Sequence, residues 1–350
     1  MKQRKLLTVI LGIAIFASIL CSGIIITTGI QAENASISNA SVQKRSFPKP
    51  HTLKKTKIEE FSEASIQLED GNISILPSDG FYLEYRLDGI CEEPDYEISD
   101  GKFYFQEGPA LKQYGISFHL FGNPSNQEPF YLNLYVPKDQ YFEFLFLSSQ
   151  SGNMELEQVN AQEAEFYLSY GNLNLQEFTG DTLNISAESG NITSEHITCE
   201  DLSIFSSYGN LTADVISVSH VANLNLESGN LTLSQLESDT LSVDMEYGTC
   251  TIDSIANKTG KIYMDSGNLN LKAATLETMN IKSEYGNVTL QLADEFSDHN
   301  YDLQTEYGTL KVDGKTIKVK EDGTVSYQKQ QDANTGNIQI YCESGAVTVK

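Results

Sequence analysis

Two consecutive units of the chain read LNLESGNLTLSQLESDTLSVDMEYGTCTIDSI over residues 224–255. Around Gly229 and Gly248, apolar residues stand five and three positions before the glycine and two, four and seven positions after it. Spacing of two on both sides of a glycine is typical of β-strands that bury one face and expose the other. Each unit therefore predicts a strand, a glycine corner, a second strand and a second corner.

This unit recurs along the chain at an almost constant interval. The corner glycines are Gly152, Gly171, Gly190, Gly209, Gly229, Gly248, Gly267 and Gly286. They lie 19 residues apart, with one step of 20 between Gly209 and Gly229. A constant period of this length is typical of a solenoid, because one unit cannot bury its own apolar face without neighbours. The predicted fold is all-β, a single-stranded β-solenoid (β-helix) with repeats of about 19 residues.

The residues that flank each corner glycine form two further series. Asn follows the glycine in most units, so stacked corners predict a ladder of side-chain amides that is interrupted at Thr249. The ladder comprises Asn153, Asn172, Asn191, Asn210, Asn230, Asn268 and Asn287. The residue before the glycine alternates between Ser and Tyr from Ser151 to Tyr285. Either each Tyr covers the small Ser beside it, or the tyrosines form a row presented to a ligand.

Acidic residues predominate two positions before the corner glycine. This predicted acidic column comprises Glu188, Glu227, Glu246, Asp265, Glu284 and Glu306. Like charges stacked at strand spacing repel each other, and carboxylate oxygens are the ligands that Ca²⁺ prefers. The glycine- and aspartate-rich nonapeptide of calcium-binding β-rolls is absent from the sequence. The column is interpreted either as a Ca²⁺ site or as a solvated edge, and no other cofactor is expected.

The first 30 residues predict a membrane anchor. Lys2, Arg4 and Lys5 precede an uncharged and almost wholly apolar run over residues 6–30. A run of this length can span a bilayer, and the positive charges place its short N-terminal side in the cytoplasm. A cleaved signal peptide is the alternative, although its apolar core is usually shorter. We predict an uncleaved single-pass anchor in the cell membrane, with the bulk of the chain extracellular.

Composition then divides the rest of the chain. Residues 31–57 are rich in Ser and Lys and contain two prolines, so they predict a flexible extracellular stalk. Residues 58–150 contain short strand patterns with many aromatic residues and an early copy of the corner at Gly71. They predict an irregular β-rich N-terminal part that caps the solenoid.

Residues 151–350 predict the solenoid repeats and a C-terminal cap. Beyond residue 286 the rhythm loosens, with corners expected at Gly308, Gly336 and Gly345. Irregular terminal units usually cover the exposed strand edges of a solenoid, so these last corners are assigned to the cap.

The charge of the chain restricts its partners. Lys and Arg number 23 against 48 Asp and Glu, and three of the cations precede the apolar run. The remaining 20 cations against 48 carboxylates leave a net charge of −28, and no Lys or Arg occurs between Lys138 and Lys258. Such a surface repels nucleic acid and anionic lipid. The expected partners are the membrane, through its single span, and either cationic proteins or peptides or anionic envelope polymers bridged by cations.

The sequence contains no recognisable catalytic constellation. The five histidines are scattered without metal-ligand spacing, and no Gly-x-Ser-x-Gly elbow occurs. An enzyme that cleaves acidic polysaccharides would need cations in the central repeats, and a glycosidase would lack Trp for sugar stacking. The cysteines beyond the apolar run share no close spacing, so no disulfide is assigned. We predict no catalytic residues and no enzymatic activity.

With these motifs, the chain resembles the bacterial putative-adhesin family of β-strand-repeat proteins, many of which are membrane anchored. The resemblance covers residues 58–350 and rests on IQLEDGNISILPS (residues 66–78), on LYVPK (residues 134–138) leading into SSQSGNM (residues 148–154), and on the recurring Ser/Tyr-Gly-Asn corners. It implies a right-handed β-solenoid without shared enzymatic residues. Some members occur with cell-envelope stress systems.

Together these observations lead us to expect a non-enzymatic, adhesin-like binding module at the cell surface. The alternative is a structural or regulatory component of a cell-envelope stress or maintenance system that acts through a membrane partner. The two differ in their use of residues 1–57, because only the regulatory component depends on its own anchor.

Overall fold

The structure, a computed structural model, describes residues 48–109, 128–320, 323–330 and 336–350. The predicted membrane span (residues 1–30) and most of the predicted stalk lie outside these residues. Within them, no helix is long and apolar enough to cross a membrane. The described part of the chain is built almost wholly from β-strands, with one short 3-10 helix at Phe296–Asp298. The predicted all-β fold is confirmed.

The central strands wind into a solenoid, in which each turn is called a rung below. These strands are β8 (Tyr141–Ser151), β9 (Met154–Tyr170), β10 (Leu173–Ser189), β11 (Ile192–Tyr208), β12 (Leu211–Ser228), β13 (Leu231–Ile252), β14 (Ile255–Tyr285) and β15 (Val288–Leu292). Successive rungs pair in parallel, so that Leu173 lies beside Ile192. Paired residues on these neighbouring rungs are thus 19 residues apart in the chain, which is the period predicted from the sequence.

The single longer step adds a residue at the second corner and leaves the glycine corner intact. Cys199 pairs with Val218 before the irregularity, and Asp201 pairs with Val221 after it. The extra residue thus falls between Val218 and Val221, at the turn that contains His220.

The inward face of the rungs forms one apolar core. In the unit that follows Gly229, the side chains of Leu231, Leu233 and Leu236 are completely buried, whereas Thr232 is exposed. Because each rung contributes such a set, the core runs continuously from the N-terminal cap to the last strand. The alternation read from the sequence correctly identifies the inward positions.

The N-terminal cap contains a rung whose neighbours in space are not its neighbours in the chain. The strands of the cap are β1 (His51–Lys57), β2 (Glu63–Asp70), β3 (Asn72–Ser78), β4 (Tyr82–Leu87), β5 (Asp95–Ser99), β6 (Lys102–Gln106) and β7 (Tyr131–Pro137). Strands β2 and β3 meet at the corner Gly71 and pair with β6 and β7 on one side and with β8 and β9 on the other. Antiparallel strands β4, β1 and β5 extend the cap outward.

Aromatic rings fill the cap. The ring of Phe61 lies 4.9 Å from that of Phe81 and 5.2 Å from that of Phe103, measured between centroids. Edge and stacked ring pairs of this kind bury a large apolar area in a small space. The concentration of aromatic residues in this part of the sequence thus corresponds to a local core that closes the solenoid.

One boundary of the predicted stalk differs from the structure. Residues His51–Lys57 form β1, which pairs with β4 at the outer edge of the cap. Its sequence has only a weak alternation of apolar residues, and its lysines Lys54, Lys55 and Lys57 are exposed. Lysines on an edge strand disfavour pairing with another molecule. The lysine-rich composition of His51–Lys57, which resembles that of a linker, therefore belongs to an edge strand that is protected against further pairing.

The C-terminal cap also contains an inserted rung. Its strands are β16 (His299–Val312), β17 (Lys315–Thr316), β18 (Val325–Lys329) and β19 (Gly336–Val349). In β19, Ser344 lies beside Tyr285 of β14 on one side and beside Tyr307 of β16 on the other. The rungs are thus stacked in the order Gly286, Gly345, Gly308, which differs from their order in the chain. The predicted corner at Gly336 is wrong, because this residue begins β19 beside His299 and the glycine corner of that rung is Gly345. Strand β19 supplies parallel partners to both neighbours, while β16 is covered on its outer edge by β18 and β17.

A buried carboxyl in the N-terminal cap leads to the first prediction. Glu107 Oε2 accepts hydrogen bonds from the backbone N–H groups of Glu69 and Asp70 at 2.8 and 3.1 Å. Burial raises the pKa of Glu107 from 4.5 to about 7. The folded state therefore holds this proton more tightly than the unfolded state does. The stability that this provides is fully present below pH 4.5 and is lost as the pH rises through 7.

We expect Glu107→Gln to be more stable than the native chain at pH 8, by at most roughly 3 kcal/mol. The two proteins should differ much less below pH 4.5, because Glu107 is then mostly protonated in both states. Thermal unfolding of both across this pH range measures the difference. Glu97→Gln, at an exposed site on β5, is the matched control. An equal gain in the control would contradict the assignment to Glu107.

Candidate functional site

Stacked glycines make one corner of the solenoid narrow and uniform. Gly229 has a φ of +148°, and a Cβ at this position would overlap the carbonyl oxygen of Gly209 on the previous rung. Glycine is the residue that adopts this φ readily, and it is also the residue that leaves room for the neighbouring backbone. The glycine corner therefore holds successive rungs at close and equal spacing.

The predicted amide ladder along this corner is confirmed. Asn172 donates to Asn153 Oδ1 from its backbone N–H at 2.9 Å and from its side-chain Nδ2 at 3.3 Å. The same pair of bonds recurs up the stack, and where the series is interrupted the backbone N–H of Thr249 donates to Asn230 Oδ1 at 3.0 Å. The ladder fixes the positions of the residues just before the glycines.

The inserted rung preserves the alternation of Ser and Tyr. In chain order Tyr285 is followed by Tyr307, which would place two tyrosines on adjacent rungs. In the structure Ser344 stands between them. The alternation therefore continues without a break from Ser151 to the last rung.

Five tyrosines on alternate rungs form what is called the tyrosine row below. They are Tyr170 (62% exposed), Tyr208 (66%), Tyr247 (57%), Tyr285 (55%) and Tyr307 (74%). Four of the serines on the intervening rungs, Ser189, Ser228, Ser266 and Ser344, are half-buried. With rungs about 4.8 Å apart, neighbouring tyrosines of the row are separated by about 9.6 Å. Partial cover of the serines leaves the rings largely open to solvent, so the row is accessible to a ligand.

A continuous series of carboxylates runs beside the tyrosine row. The acidic column of the structure comprises, in spatial order, Glu227, Glu246, Asp265, Glu284, Glu343 and Glu306. Glu343 is a member that chain order did not reveal, because it lies on the inserted strand. Of the predicted column, Glu188 stands apart, since Ser207 occupies the rung between it and Glu227. The Ser/Tyr alternation was the signal that could have placed Glu343 between Glu284 and Glu306.

Two carboxylates of the acidic column already have partners. Glu284 accepts hydrogen bonds from the Tyr263 hydroxyl at 2.7 Å and from Lys282 Nζ at 3.1 Å, which together lower its pKa. Glu306 accepts one from the Tyr341 hydroxyl at 2.6 Å, and this bond raises the pKa of Tyr341 to about 12. These pairs show that the column binds hydrogen-bond donors and cations placed over this face.

The other members of the acidic column are open to an external partner. Among the described residues, Glu227, Glu246, Asp265 and Glu343 make no side-chain hydrogen bond or ion pair. Nor do three Asp, Glu, His or Cys side chains in this part of the chain group together as they would to hold a metal ion. Binding of Ca²⁺ by the column stays a prediction.

A second acidic surface lies along the second corner, and it is called the second-corner groove below. This open groove has a volume of about 840 Å³ and is lined by Glu200, Glu237, Asp239 and Glu277 among others. Lys258 Nζ forms an ion pair with Asp239 at 2.7 Å. The lining contains no aromatic residue. The groove therefore shares the acidity of the glycine corner and lacks its exposed rings.

Groups able to perform chemistry are dispersed in the described structure. Cys91, Cys199, Cys250 and Cys342 are free and buried. Burial raises the pKa of the Cys250 thiol to about 12, which keeps it protonated and unreactive at neutral pH. His299 pairs with Asp294 at 2.9 Å, far along the chain from His196 and His220.

Comparison with known proteins identifies a family for this architecture. A family model described as Toastrack DUF4097 matches residues 62–195 and again residues 179–350. The two matches together extend over most of the chain, from β2 of the N-terminal cap to the end of β19, and include all the glycine corners. The expectation of a putative-adhesin family is thereby confirmed, whereas membrane anchoring stays a prediction.

Solved structures include relatives of low sequence identity. The chain is similar to a putative adhesin from Bacteroides fragilis, with 11% identity over 86% of this chain and 97% of that chain and a TM-score of 0.34. A putative adhesin from Parabacteroides distasonis shows 12% identity over 87% and 98%, with a TM-score of 0.39. A structure named putative lipid binding protein, from the same species, shows 14% over 85% and 96%, with a TM-score of 0.37. No curated protein matches the chain.

Proposed function

This chain belongs to the Toastrack DUF4097 family, and from the surface that its glycine corner presents we propose that it is a non-enzymatic, adhesin-like binding module displayed outside the cell membrane. The observation that carries the proposal is the tyrosine row, which exposes five rings on a rigid ladder beside a column of carboxylates. Tyrosines are favoured at binding surfaces because they offer a large contact area and lose little side-chain entropy.

Charge supports a cationic partner. The net charge of −28 beyond the predicted span and the absence of Lys and Arg between Lys138 and Lys258 leave most of the tyrosine row in a strongly negative field. Such a field attracts basic proteins and peptides and repels nucleic acid. Anionic envelope polymers could approach if Ca²⁺ bridged them to the carboxylates, which is the second form of partner that we retain.

Display outside the cell rests on the N-terminal sequence. It is supported by the apolar run over residues 6–30 that follows Lys2, Arg4 and Lys5, which predicts a single membrane span with a cytoplasmic N-terminus. A cysteine introduced at the exposed Lys318 should react with a membrane-impermeant maleimide on intact cells as fully as on lysed cells. Labelling that requires lysis would contradict display.

Binding is tested on the full chain in vesicles of neutral lipid, with fluorescent poly-L-lysine as the probe. We expect saturable binding that weakens with salt and falls at least tenfold when the five tyrosines of the row are changed to Ser. The matched control changes Tyr104 and Tyr141, which are 47% and 50% exposed in the N-terminal part, to Ser. An equal loss in both variants, or none in either, would contradict the proposal.

Two additions to this experiment distinguish the remaining alternatives. If Ca²⁺ at constant ionic strength recruits an anionic polymer and weakens the binding of poly-L-lysine, cation bridging is supported. If binding persists when residues 1–30 are replaced by an unrelated anchor, the chain acts as an independent binding module. Loss of binding after this replacement would instead favour a regulatory component that depends on a membrane partner.

A further inference from the structure

We infer that the tyrosine row and the acidic column bind a cationic polypeptide segment in the polyproline II conformation. This inference rests on the proposed function, since it names the partner of the same surface. Three properties of the corner support it: its spacing, the way it holds an internal lysine, and the distribution of its unpaired carboxylates.

The spacing of the row matches one turn of a polyproline II helix. Tyrosines on alternate rungs are about 9.6 Å apart. A polyproline II helix has three residues per turn and advances about 9.3 Å in each turn. Over the four intervals from Tyr170 to Tyr307 the two repeats differ by only about 1 Å in total. Every third residue of such a segment can therefore stand over a tyrosine without strain.

An extended β-strand would not keep this register. Its side chains return to the same face after about 6.6 Å, which falls out of step with the row within one interval. Polyproline II segments have no internal hydrogen bonds and lose little entropy when they bind aromatic surfaces. A regular polyproline II chain is thus the polypeptide conformation that contacts all five rings.

The structure itself shows how a lysine is held on this face. Lys282 Nζ lies 3.1 Å from Glu284 and 5.1 Å from the ring centroid of Tyr263. The ammonium group thus lies between a carboxylate and the face of an aromatic ring, which is a favourable cation–π arrangement. A cationic residue at every third position of the partner can find the same two kinds of group at Tyr247, Tyr285 and Tyr307, each of which directly follows a carboxylate of the acidic column.

The unpaired carboxylates are placed where such a partner needs them. Glu227, Glu246 and Asp265 occupy three consecutive rungs and have no partners among the described side chains. One interval of the tyrosine row spans two rungs, so in this part of the corner each interval offers two carboxylates to one cation. A neutral glycan that stacks on the rings can donate hydroxyl hydrogen bonds to these carboxylates but cannot neutralise their charge, which is why the cationic peptide is favoured.

The test compares two peptides with equal charge and different periods. One consists of five Pro-Pro-Arg repeats, and the other of five Pro-Pro-Pro-Arg repeats, whose cations recur only after about 12 Å. Binding to the full chain in neutral-lipid nanodiscs is measured at one ionic strength. We expect the first peptide to bind at least tenfold more tightly than the second. Changing the five tyrosines of the row to Ser should remove this preference and weaken binding of the first peptide at least tenfold.

A charge-matched variant excludes a general electrostatic effect. Glu200→Gln with Glu237→Gln and Glu277→Gln removes three charges from the second-corner groove and leaves the tyrosine row untouched. Its affinity for the first peptide should stay within twofold of the native value. The corresponding variant Glu227→Gln with Glu246→Gln and Asp265→Asn should lose at least tenfold.

Each other outcome overturns the inference in a recognisable way. Equal affinity for both peptides, with tyrosine-dependent binding of poly-L-lysine retained, would remove the inference and leave the proposed function standing. Tyrosine-dependent binding of cellohexaose in place of the peptides would assign the row to a glycan and also overturn it. Failure of every probe, poly-L-lysine included, would overturn both the inference and the proposed function.

Discussion

Gly229→Ala is expected to lower the free energy of unfolding by about 4 kcal/mol. The new methyl group would meet the carbonyl oxygen of Gly209, and the residue would have to keep a φ of +148°. Both costs fall in the middle of the solenoid, where neighbouring rungs on either side prevent the backbone from moving away. A lowered midpoint in thermal and urea unfolding, followed by circular dichroism, measures the effect.

Gly314→Ala is the control that has an unfavourable φ without the steric overlap. Gly314 also has a positive φ, of +74°, but a Cβ there would meet nothing within 4 Å. We expect this variant to lose only about 1 kcal/mol, from backbone strain alone. If both variants were destabilised equally, the close approach of stacked corners would not be the reason for glycine at position 229.

Deletion of residues 336–350 is expected to prevent stable folding of the chain. Strand β19 buries Ile338, Ile340, Val347 and Val349 and supplies the hydrogen-bonding partner of both flanking rungs. Burial of these side chains together with the strand pairing is worth on the order of 10 kcal/mol, which is comparable to the net stability of a typical domain. We expect the truncated chain to be aggregated or to have lost its cooperative unfolding transition.

A pair of engineered cysteines tests the same insertion without removing it. Thr309 lies beside Ala346 in neighbouring rungs, so Thr309→Cys with Ala346→Cys should form a disulfide under mild oxidation. Corners stacked in chain order would instead place Thr309 beside Asn287. In the structure the backbone N–H of Ala346 donates to Asn287 Oδ1, so Ala346 lies between Asn287 and Thr309. Asn287 is therefore two rungs away from Thr309, which is too far for a disulfide. Efficient cross-linking of Thr309→Cys with Asn287→Cys would contradict the inserted strand.

Most of the solenoid could be predicted from the sequence because its contacts repeat with the sequence. Each rung pairs with a rung 19 or 20 residues away, so the period that aligns the glycines also aligns the strands. The amide ladder followed in the same way, since identical residues at identical positions lie beside each other. Periodicity therefore identified the inward face, the corner and most of the acidic column.

The two ends could not be predicted in this way. Each end contains a rung inserted between two others, and the spacing of chain neighbours carries no information about such pairings. For this reason Glu343 was missed as a member of the acidic column. His51–Lys57 appeared to belong to a linker for a different reason, because this edge strand is rich in lysine and has only a weak alternation of apolar residues. One local signal was available at the C-terminal end, because the Ser/Tyr alternation requires Ser344 between Tyr285 and Tyr307.

The inserted strand links the fold to the proposed binding surface. Without β19, Tyr285 and Tyr307 would stand on adjacent rungs and the acidic column would lose Glu343. The even spacing of the tyrosine row therefore depends on how the C-terminal cap is closed. A regular ligand can extend along the row to its last member only because the insertion maintains the two-rung repeat.

The most direct test of the binding surface is nitration of tyrosines in the full chain, read at each residue by mass spectrometry with and without saturating poly-L-lysine. We expect nitration in the free protein and protection in the complex at all five tyrosines of the row, Tyr170, Tyr208, Tyr247, Tyr285 and Tyr307. Tyr104 and Tyr141 are similarly exposed and should react equally in both samples. Protection of Tyr104 and Tyr141 with continued nitration of the row would contradict the claim that the glycine corner is the binding surface.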